Sequence, residues 1–328
     1  MRIKELLNNI DIDRREAESL LGFVLKKDRV WVMAHQEVKV DTRMERRFTK
    51  LIERRKSGEP IAYIVGFQPF LGHEFKVNRS TLIPRPETEQ LAEQAIECVK
   101  KFQADGDGIM VCDIGTGSGC IAISIALACP KAKVFASDIS PAALSVVKYN
   151  AKNFSTRIKV IHSNLLDSRL AKQINYSRLA THDSRLIIVA NLPYLPYSDK
   201  RAMQRDVVKF EPASALFAAQ NGQALIKKLL MQIKDFIINF SGQWTANNQT
   251  HTQLTKSKSQ ISNRKSYLNK KLTSQNCVQR GDSRITIFLE IDPRQAKSLA
   301  TFSHKLFPDK EVKIKKDMFK RERFLAIK

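Results

Sequence analysis

The apolar positions change their period twice along the chain. Over residues 1–60 they recur at helical spacing: Ile3, Leu6, Leu7 and Ile10, then Leu20, Leu21, Val24 and Leu25, then Phe48, Leu51 and Ile52. Ser57-Gly58-Glu59-Pro60 predicts a stop to that run. Residues 61–88 change character. Ile61 to Gly66 lead into a stretch from Pro69 to Val77 that alternates around a glycine turn and predicts a hairpin, and Pro84-Arg85-Pro86 then stiffens the chain. Thr88 is the expected cap of a helix through Leu91, Ala95, Ile96 and Val99. From about 109 onward, short apolar runs alternate with helical stretches. Strands are expected at 109–114, 133–137, 158–162, 186–190, 285–291, 311–316 and 323–327, and helices at 119–128, 141–153, 222–239 and 294–307. That alternation implies an α/β domain over 89–328 with a mostly parallel sheet covered on both faces. The last two strands are too close for a helical crossover and are expected to pair antiparallel.

Residues 241–284 interrupt the order. They are rich in Asn, Gln, Ser, Thr and Lys, with eight Lys or Arg against one Asp, and predict a basic insertion that buries little. The whole 328-residue chain carries a net charge of +23 and is 43% hydrophobic, enough for a sizeable core. Such a charge favours a polyanionic partner, and a weak nucleic-acid contact through the insertion is one expectation; a dispersed basic surface is the plainer alternative. The five cysteines form no CxxC pair and have no histidine at zinc spacing, which points to no metal and to a reducing compartment. No apolar run reaches the ~20 residues of a membrane span, and the start of the chain lacks a signal-peptide core. A cytoplasmic protein is expected. The helical unit 1–60 carries no catalytic constellation and reads as a partner-docking module.

Chemistry gathers at the ends of two predicted strands. After Ile109-Met110-Val111-Cys112 comes Asp113-Ile114-Gly115-Thr116-Gly117-Ser118-Gly119, a strand-to-helix turn whose glycines let the backbone approach a ligand closely. Asp138 ends the next strand, where its carboxylate is placed to accept from both hydroxyls of a ribose, or to cap the helix at Pro141. Both features suit NAD as well. Asp113 favours S-adenosylmethionine instead, because a carboxylate there attracts a cationic cofactor and repels a pyrophosphate. The second site is Asn191-Leu192-Pro193-Tyr194, directly after Leu186-Ile187-Ile188-Val189-Ala190. An amide nitrogen or aromatic amine is a poor nucleophile because its lone pair is delocalised. The Asn191 side-chain oxygen and the Leu192 carbonyl offer two acceptors for its N–H groups, Pro193 stiffens the turn, and Tyr194 packs on a flat group. Together the two strand ends suggest methyl transfer to nitrogen.

These motifs resemble the HemK/PrmC family, the N5-glutamine methyltransferases of peptide-chain release factors. The likeness rests on Gly58-Glu59-Pro60-Ile61-Ala62-Tyr63-Ile64, on Leu82-Ile83-Pro84-Arg85-Pro86-Glu87-Thr88-Glu89, on Asp113 to Gly119 and on Asp138-Ile139-Ser140 with Ala143-Leu144. Asn191 to Tyr194 and Phe210-Glu211-Pro212-Ala213-Ser214-Ala215-Leu216 complete it. The resemblance implies a class I S-adenosylmethionine-dependent methyltransferase, a Rossmann-like, mostly parallel seven-stranded sheet with a small N-terminal helical domain that helps dock the release factor. It also implies that Gly115, Thr116, Gly117, Ser118 and Gly119 line the methionine part of the cofactor, that Asp138 holds the ribose, and that Leu165 flanks the adenine. Asn191, Leu192, Pro193 and Tyr194 would bind the glutamine of a Gly-Gly-Gln loop. Two positions depart from the family: Leu192 stands where Pro is usual and Asn164 where Asp is usual. An RNA or DNA adenine methyltransferase using the same Asn-x-Pro-Tyr acceptor is the alternative.

Overall fold

The computed structural model describes residues 1–8, 10–106, 108–174, 184–239 and 284–328. The insertion at 241–284, and with it the expected nucleic-acid contact, lies outside the described residues apart from Arg284.

Five helices make up the N-terminal unit: α1 (Ile3–Leu7), α2 (Arg14–Leu25), α3 (Arg29–Ala34), α4 (Thr42–Lys56) and α5 (Ile61–Val65). Asp13, Asp28 and Asp41 cap α2, α3 and α4 by accepting backbone N–H groups of the first turns. Leu20, Leu21, Val24, Phe48, Leu51 and Ile52 close over one core, as their spacing predicts. α4 stops at Lys56 with Ser57 as its C-cap, as Ser57-Gly58-Glu59-Pro60 predicts. The helical unit nevertheless continues, because Pro60 is the N-cap of α5 and Ile64 joins the same core. The hairpin expected over Pro69 to Val77 is formed by β1 (Phe67–Phe70) paired to β2 (His73–Lys76). The next helix, α6, runs over Pro86–Ala104.

A seven-stranded sheet follows, built from β3 (Gly108–Ile114), β4 (Lys133–Asp138), β5 (Lys159–His162), β6 (Ser184–Ala190), β9 (Ile285–Glu290), β10 (Val312–Lys316) and β11 (Glu322–Ile327). Two further strands, β7 (Leu195–Pro196) and β8 (Phe217–Ala218), form a small parallel pair of their own. The order across the large sheet is β10-β11-β9-β6-β3-β4-β5. β5, β4, β3, β6 and β9 run parallel, and β11 runs antiparallel to both β9 and β10. Helices α6, α7 (Cys120–Ala128) and α8 (Pro141–Asn153) cover one face; α9 (Ser168–Gln173) and the helices at 224–239 and Ala296–Leu306 cover the other. Burial on both sides explains why the central strands β3, β6 and β9 read as nearly unbroken apolar runs.

This topology puts the carboxyl ends of five parallel strands on one edge. β3 delivers Gly115, β4 ends at Asp138, β5 leads to Leu165, β6 leads to Asn191 and β9 ends at Glu290. The β6–β9 register pairs Ala190 with Leu289, so Asn191 and Glu290 emerge side by side. Phe324 pairs with Glu290, so β11 brings Arg323 to the same edge from the opposite direction.

Candidate active site

A cavity of about 460 Å³ opens over that edge, lined by Gly115, Thr116, Gly117 and Ser118 from the glycine turn, by Asp138, and by Asn164 and Leu165. Asn191, Leu192 and Pro193 form its far wall. Gly115, Gly117 and Gly119 have φ of 74°, 56° and 83°, values that explain the choice of glycine at all three. Room is also needed at Gly115, where an added Cβ would lie 2.9 Å from Leu192 Cδ2. At Gly117 an added Cβ meets nothing within 4 Å, so the loop leaves open space above its backbone. Most of the loop's amides are already committed. Gly115 and Thr116 donate to the Ser137 carbonyl, Gly119 donates to Thr116, and Gly117 donates to Asp138 Oδ2 at 3.0 Å.

Asp138 does not cap α8. Ser140 does so, and its own N–H donates to Asp138 Oδ1 at 2.9 Å. Leu165 sits in the left-handed region at φ 58°, which turns its side chain to the cavity and into the core beside it. The turn is held by Asp167, which accepts from the Ser163 hydroxyl and from the amides of Asn164, Arg169 and Leu170. Burial works against this carboxylate, but those hydrogen bonds outweigh it and hold its pKa at about 2.

Asp113 lies under the glycine turn and is absent from the cavity wall. Its Oδ2 accepts from the Thr116 hydroxyl at 2.6 Å and from Ala122 N–H at 3.1 Å, while its buried Oδ1 has no hydrogen-bond partner. Burial pushes its pKa up to about 7 despite those two bonds. Because the folded value lies above the ordinary 3.8, the folded chain holds an extra proton between the two. The associated stability is full below the lower value and is lost as pH rises through the upper one. Asp113→Asn cannot ionise and is expected to lack this dependence. In denaturant titrations, the stability difference between the two proteins is expected to change by up to about 3 kcal/mol between roughly pH 5 and pH 8. A constant difference would mean that Asp113 does not titrate there.

Asn191 stands where the large cavity meets a smaller one of about 200 Å³, lined by Leu82, Arg85, Leu195, Met203, Val207 and Leu216 among others. Asn191 and Leu192 border both. The Asn191 Nδ2 donates to Thr88 Oγ1 at 3.0 Å, and Thr88 Oγ1 in turn donates to Glu290 Oε2 at 2.8 Å. The second Glu290 oxygen accepts from the Tyr194 hydroxyl at 3.0 Å. Tyr194 is thus tethered at its ring, and its carbonyl accepts from Gln295 Nε2 at 2.7 Å. The Leu192–Pro193 bond is trans. Burial raises the pKa of Glu290, opposed by the bonds from Thr88 and Tyr194 and by the charge of Arg323.

Thr88 is therefore not a helix cap. α6 begins at Pro86 with Arg85 at its N-cap, which leaves Thr88 in the first turn with its side chain turned to the strand ends. The segment is fixed there by Glu211, which accepts from Ile83 N–H at 3.1 Å and pairs with Arg85. Sequence reading missed Thr88, Glu290 and Gln295 as site residues. One signal was present: Glu290 is a lone carboxylate closing a strand that is otherwise apolar apart from Thr286.

Comparison with known proteins identifies both units of the chain. Residues 2–66 match the PrmC N-terminal domain, and residues 96–177 match the methyltransferase small domain. The chain is 36% identical over 227 residues to a release factor glutamine methyltransferase of Bordetella pertussis, covering 69% of this chain and 78% of that protein. A protein of the same name from Koribacter versatilis is 37% identical, with 67% and 74% covered. One from Neisseria gonorrhoeae is 34% identical, with 72% and 80% covered. The chain belongs to the release factor glutamine methyltransferase family. The fold expected of that family, a class I methyltransferase behind a helical N-terminal domain, is the one observed.

The cofactor of a methyltransferase, S-adenosylmethionine, suits this cavity better than a dinucleotide does. A pyrophosphate needs free amides on the glycine turn, and four of them are spent within the protein. The Asp138 carboxylate beside the turn favours a cationic ligand over an anionic one. Among the described residues there is no cluster of His, Cys, Asp and Glu able to hold a metal, and no helix long and apolar enough to cross a membrane.

Proposed function

We infer that this chain methylates the side-chain amide nitrogen (N5) of the glutamine in the Gly-Gly-Gln loop of peptide-chain release factors, using S-adenosylmethionine. The observation that carries the reading is the placement of Asn191 and Leu192 on the border of two cavities. The larger one, with the glycine turn, Asp138 and Leu165, is shaped for the cofactor. The smaller one is mostly apolar, its one charged wall residue, Arg85, being paired with Glu211, and it admits an uncharged side chain.

When bound, S-adenosylmethionine supplies an electrophilic methyl group on a sulfonium. The chain's part is to make a poor nucleophile available. The Asn191 Oδ1 and the Leu192 carbonyl take the two N–H groups of the glutamine amide, which fixes the nitrogen and turns its lone pair toward the larger cavity. No base is needed first, because a proton leaves only after the nitrogen has gained its fourth bond. Tyr194 packs on the amide plane, Pro193 holds the turn, and Leu82, Leu195 and Leu216 exclude water. Leu192 supplies a main-chain group, so the change from Pro leaves this arrangement in place. Its side chain gains a seat at Gly115, where the missing Cβ makes room. In this reading the helical unit over residues 1–65 engages the body of the release factor. A cytoplasmic location, alongside translation, belongs to the same reading.

The test is transfer of labelled methyl groups from S-adenosylmethionine to purified release factor. Label is expected on the loop glutamine and to vanish when that glutamine is replaced. Transfer to nucleic acid with none to release factor would overturn the reading in favour of an adenine methyltransferase.

A further inference from the structure

We propose that Thr88 and Glu290 are positioning residues for methyl transfer, forming a buried hydrogen-bond relay that sets which end of the Asn191 amide faces the acceptor. The proposal rests on the reading of Asn191 as the group that accepts the glutamine N–H.

An asparagine side chain presents an oxygen on one side and an NH₂ on the other, and only the oxygen can accept an N–H. Flipped by half a turn, Asn191 would offer a donor to a donor. The contacts on the page decide the orientation. Glu290 is 1% exposed, and as a carboxylate it only accepts. The Thr88 hydroxyl, 2.8 Å from Glu290 Oε2, must therefore spend its single proton there. What Thr88 has left for Asn191, 3.0 Å away, is lone-pair capacity alone. Nδ2 must then face Thr88, and Oδ1 must face the cavities. The same carboxylate takes the Tyr194 proton at its other oxygen, so one charge sets both ends of the Asn-Leu-Pro-Tyr turn.

The relay spans α6, the turn after β6 and the end of β9, segments separated by 103 and 202 positions along the chain. It gives the Pro-Arg-Pro-Glu-Thr-Glu segment a task beyond shaping the cavity wall. A protonated Glu290 would donate to Thr88, free the Thr88 proton for the Asn191 oxygen, and turn the amide the wrong way. Among the described residues, Thr88 on α6 and Tyr194 beyond β6 hydrogen-bond Glu290, and the charges of Glu87 on α6 and Arg323 on β11 act on it. Burial and Glu87 favour the protonated form, while Arg323 and the two hydroxyls favour the carboxylate. A raised pKa places the loss of orientation on the acid side, with activity falling as pH drops through it.

The test is steady-state transfer to purified release factor by Thr88→Val, Thr88→Ser and Glu290→Gln, with cofactor affinity measured by calorimetry on each. Thr88→Val keeps the shape and removes the hydroxyl. Its kcat is expected to fall about 10- to 100-fold with cofactor affinity and the KM for release factor little changed. Thr88→Ser restores the hydroxyl and is expected to recover most of kcat. Glu290→Gln is expected to lose the acid limb of the wild-type pH profile. A Thr88→Val protein with wild-type kcat, or one whose cofactor affinity falls as far as its kcat, overturns the proposal. So does a Thr88→Ser protein no better than the valine variant. If Asn191→Ala is inactive while Thr88→Val is fully active, the relay fails and the acceptor reading stands; if Asn191→Ala is active, both fail.

Discussion

Asn191→Ala is expected to lower kcat by at least ~100-fold while leaving cofactor affinity nearly intact, by analogy with removal of one catalytic hydrogen-bonding group. The argument is geometric. The larger cavity has many walls besides Asn191, and its glycine turn, Asp138 and Leu165 are held by bonds that do not involve that residue. The acceptor has only one side-chain oxygen placed for it. Calorimetry with S-adenosylmethionine and single-turnover transfer to release factor separate the two effects. Asn191→Asp sharpens the test, because it keeps an acceptor oxygen and loses the donor that reaches Thr88. It also sets a second carboxylate across one hydroxyl from Glu290. It is expected to be as poor as the alanine variant, because Thr88 has one proton to share between two carboxylates whose repulsion displaces the side chain, and not because an acceptor is missing. A wild-type rate for Asn191→Ala would remove the residue from the mechanism.

The features legible in the sequence are those written in local periodicity. The seven strands fall within two residues of where their apolar runs predict them; at the sheet centre β3, β6 and β9 are buried on both faces, which gives them the longest apolar runs. The antiparallel β10–β11 pair followed from chain length alone. Asn191, Gly115 and Asp138 were readable because strand ends of an α/β sheet converge on one edge. What was not readable is tertiary. Thr88 looked like a cap because threonine before an apolar run often is one, and only the approach of β9 shows its hydroxyl facing a carboxylate 202 positions away. Asp113 looked like a ligand to the cofactor. Its burial beneath the turn shows a different part, a carboxylate that fastens Thr116 and the first turn of α7. The stop at Ser57 to Pro60 was legible, since α4 ends at Lys56; that Pro60 also caps a further short helix was not.

These differences share a physical cause. A polar residue at a strand end can face a ligand or a neighbouring strand end, and sequence spacing does not distinguish the two. At this edge both are used. Asn191, Asp138 and Leu165 face the cavities, while Glu290, Gln295 and Asp113 brace them from behind. The bracing set carries the heavier burial: Glu290, Gln295 and Asp113 are each at most 3% exposed. Buried polar groups of this kind are costly where they are not hydrogen-bonded, and the bonds that Glu290, Gln295 and Asp113 do make fix turns that an apolar residue could not.

Gly222→Ala is expected to damage stability and turnover together, although Gly222 lies in no motif. Its φ is +82°, and an added Cβ would lie 1.9 Å from the Tyr194 carbonyl oxygen and 2.5 Å from Gln295 Nε2. Neither neighbour yields cheaply. The carbonyl is backbone, and Gln295 is committed to it at 2.7 Å and to the Asn221 carbonyl at 2.8 Å. Overpacking and the left-handed backbone together are expected to cost about 2 to 5 kcal/mol, read as a lowered denaturation midpoint. Relief can come only by pushing Tyr194 away, which pulls on its hydroxyl bond to Glu290 and on the turn that carries Asn191. Cofactor affinity should suffer less than kcat, because the glycine turn is anchored to β4 and not to Tyr194. A Gly222→Ala protein with wild-type stability would show that the Tyr194 carbonyl is free to move. Turnover that survived such a shift would then mean that the acceptor turn does not depend on the position of Tyr194.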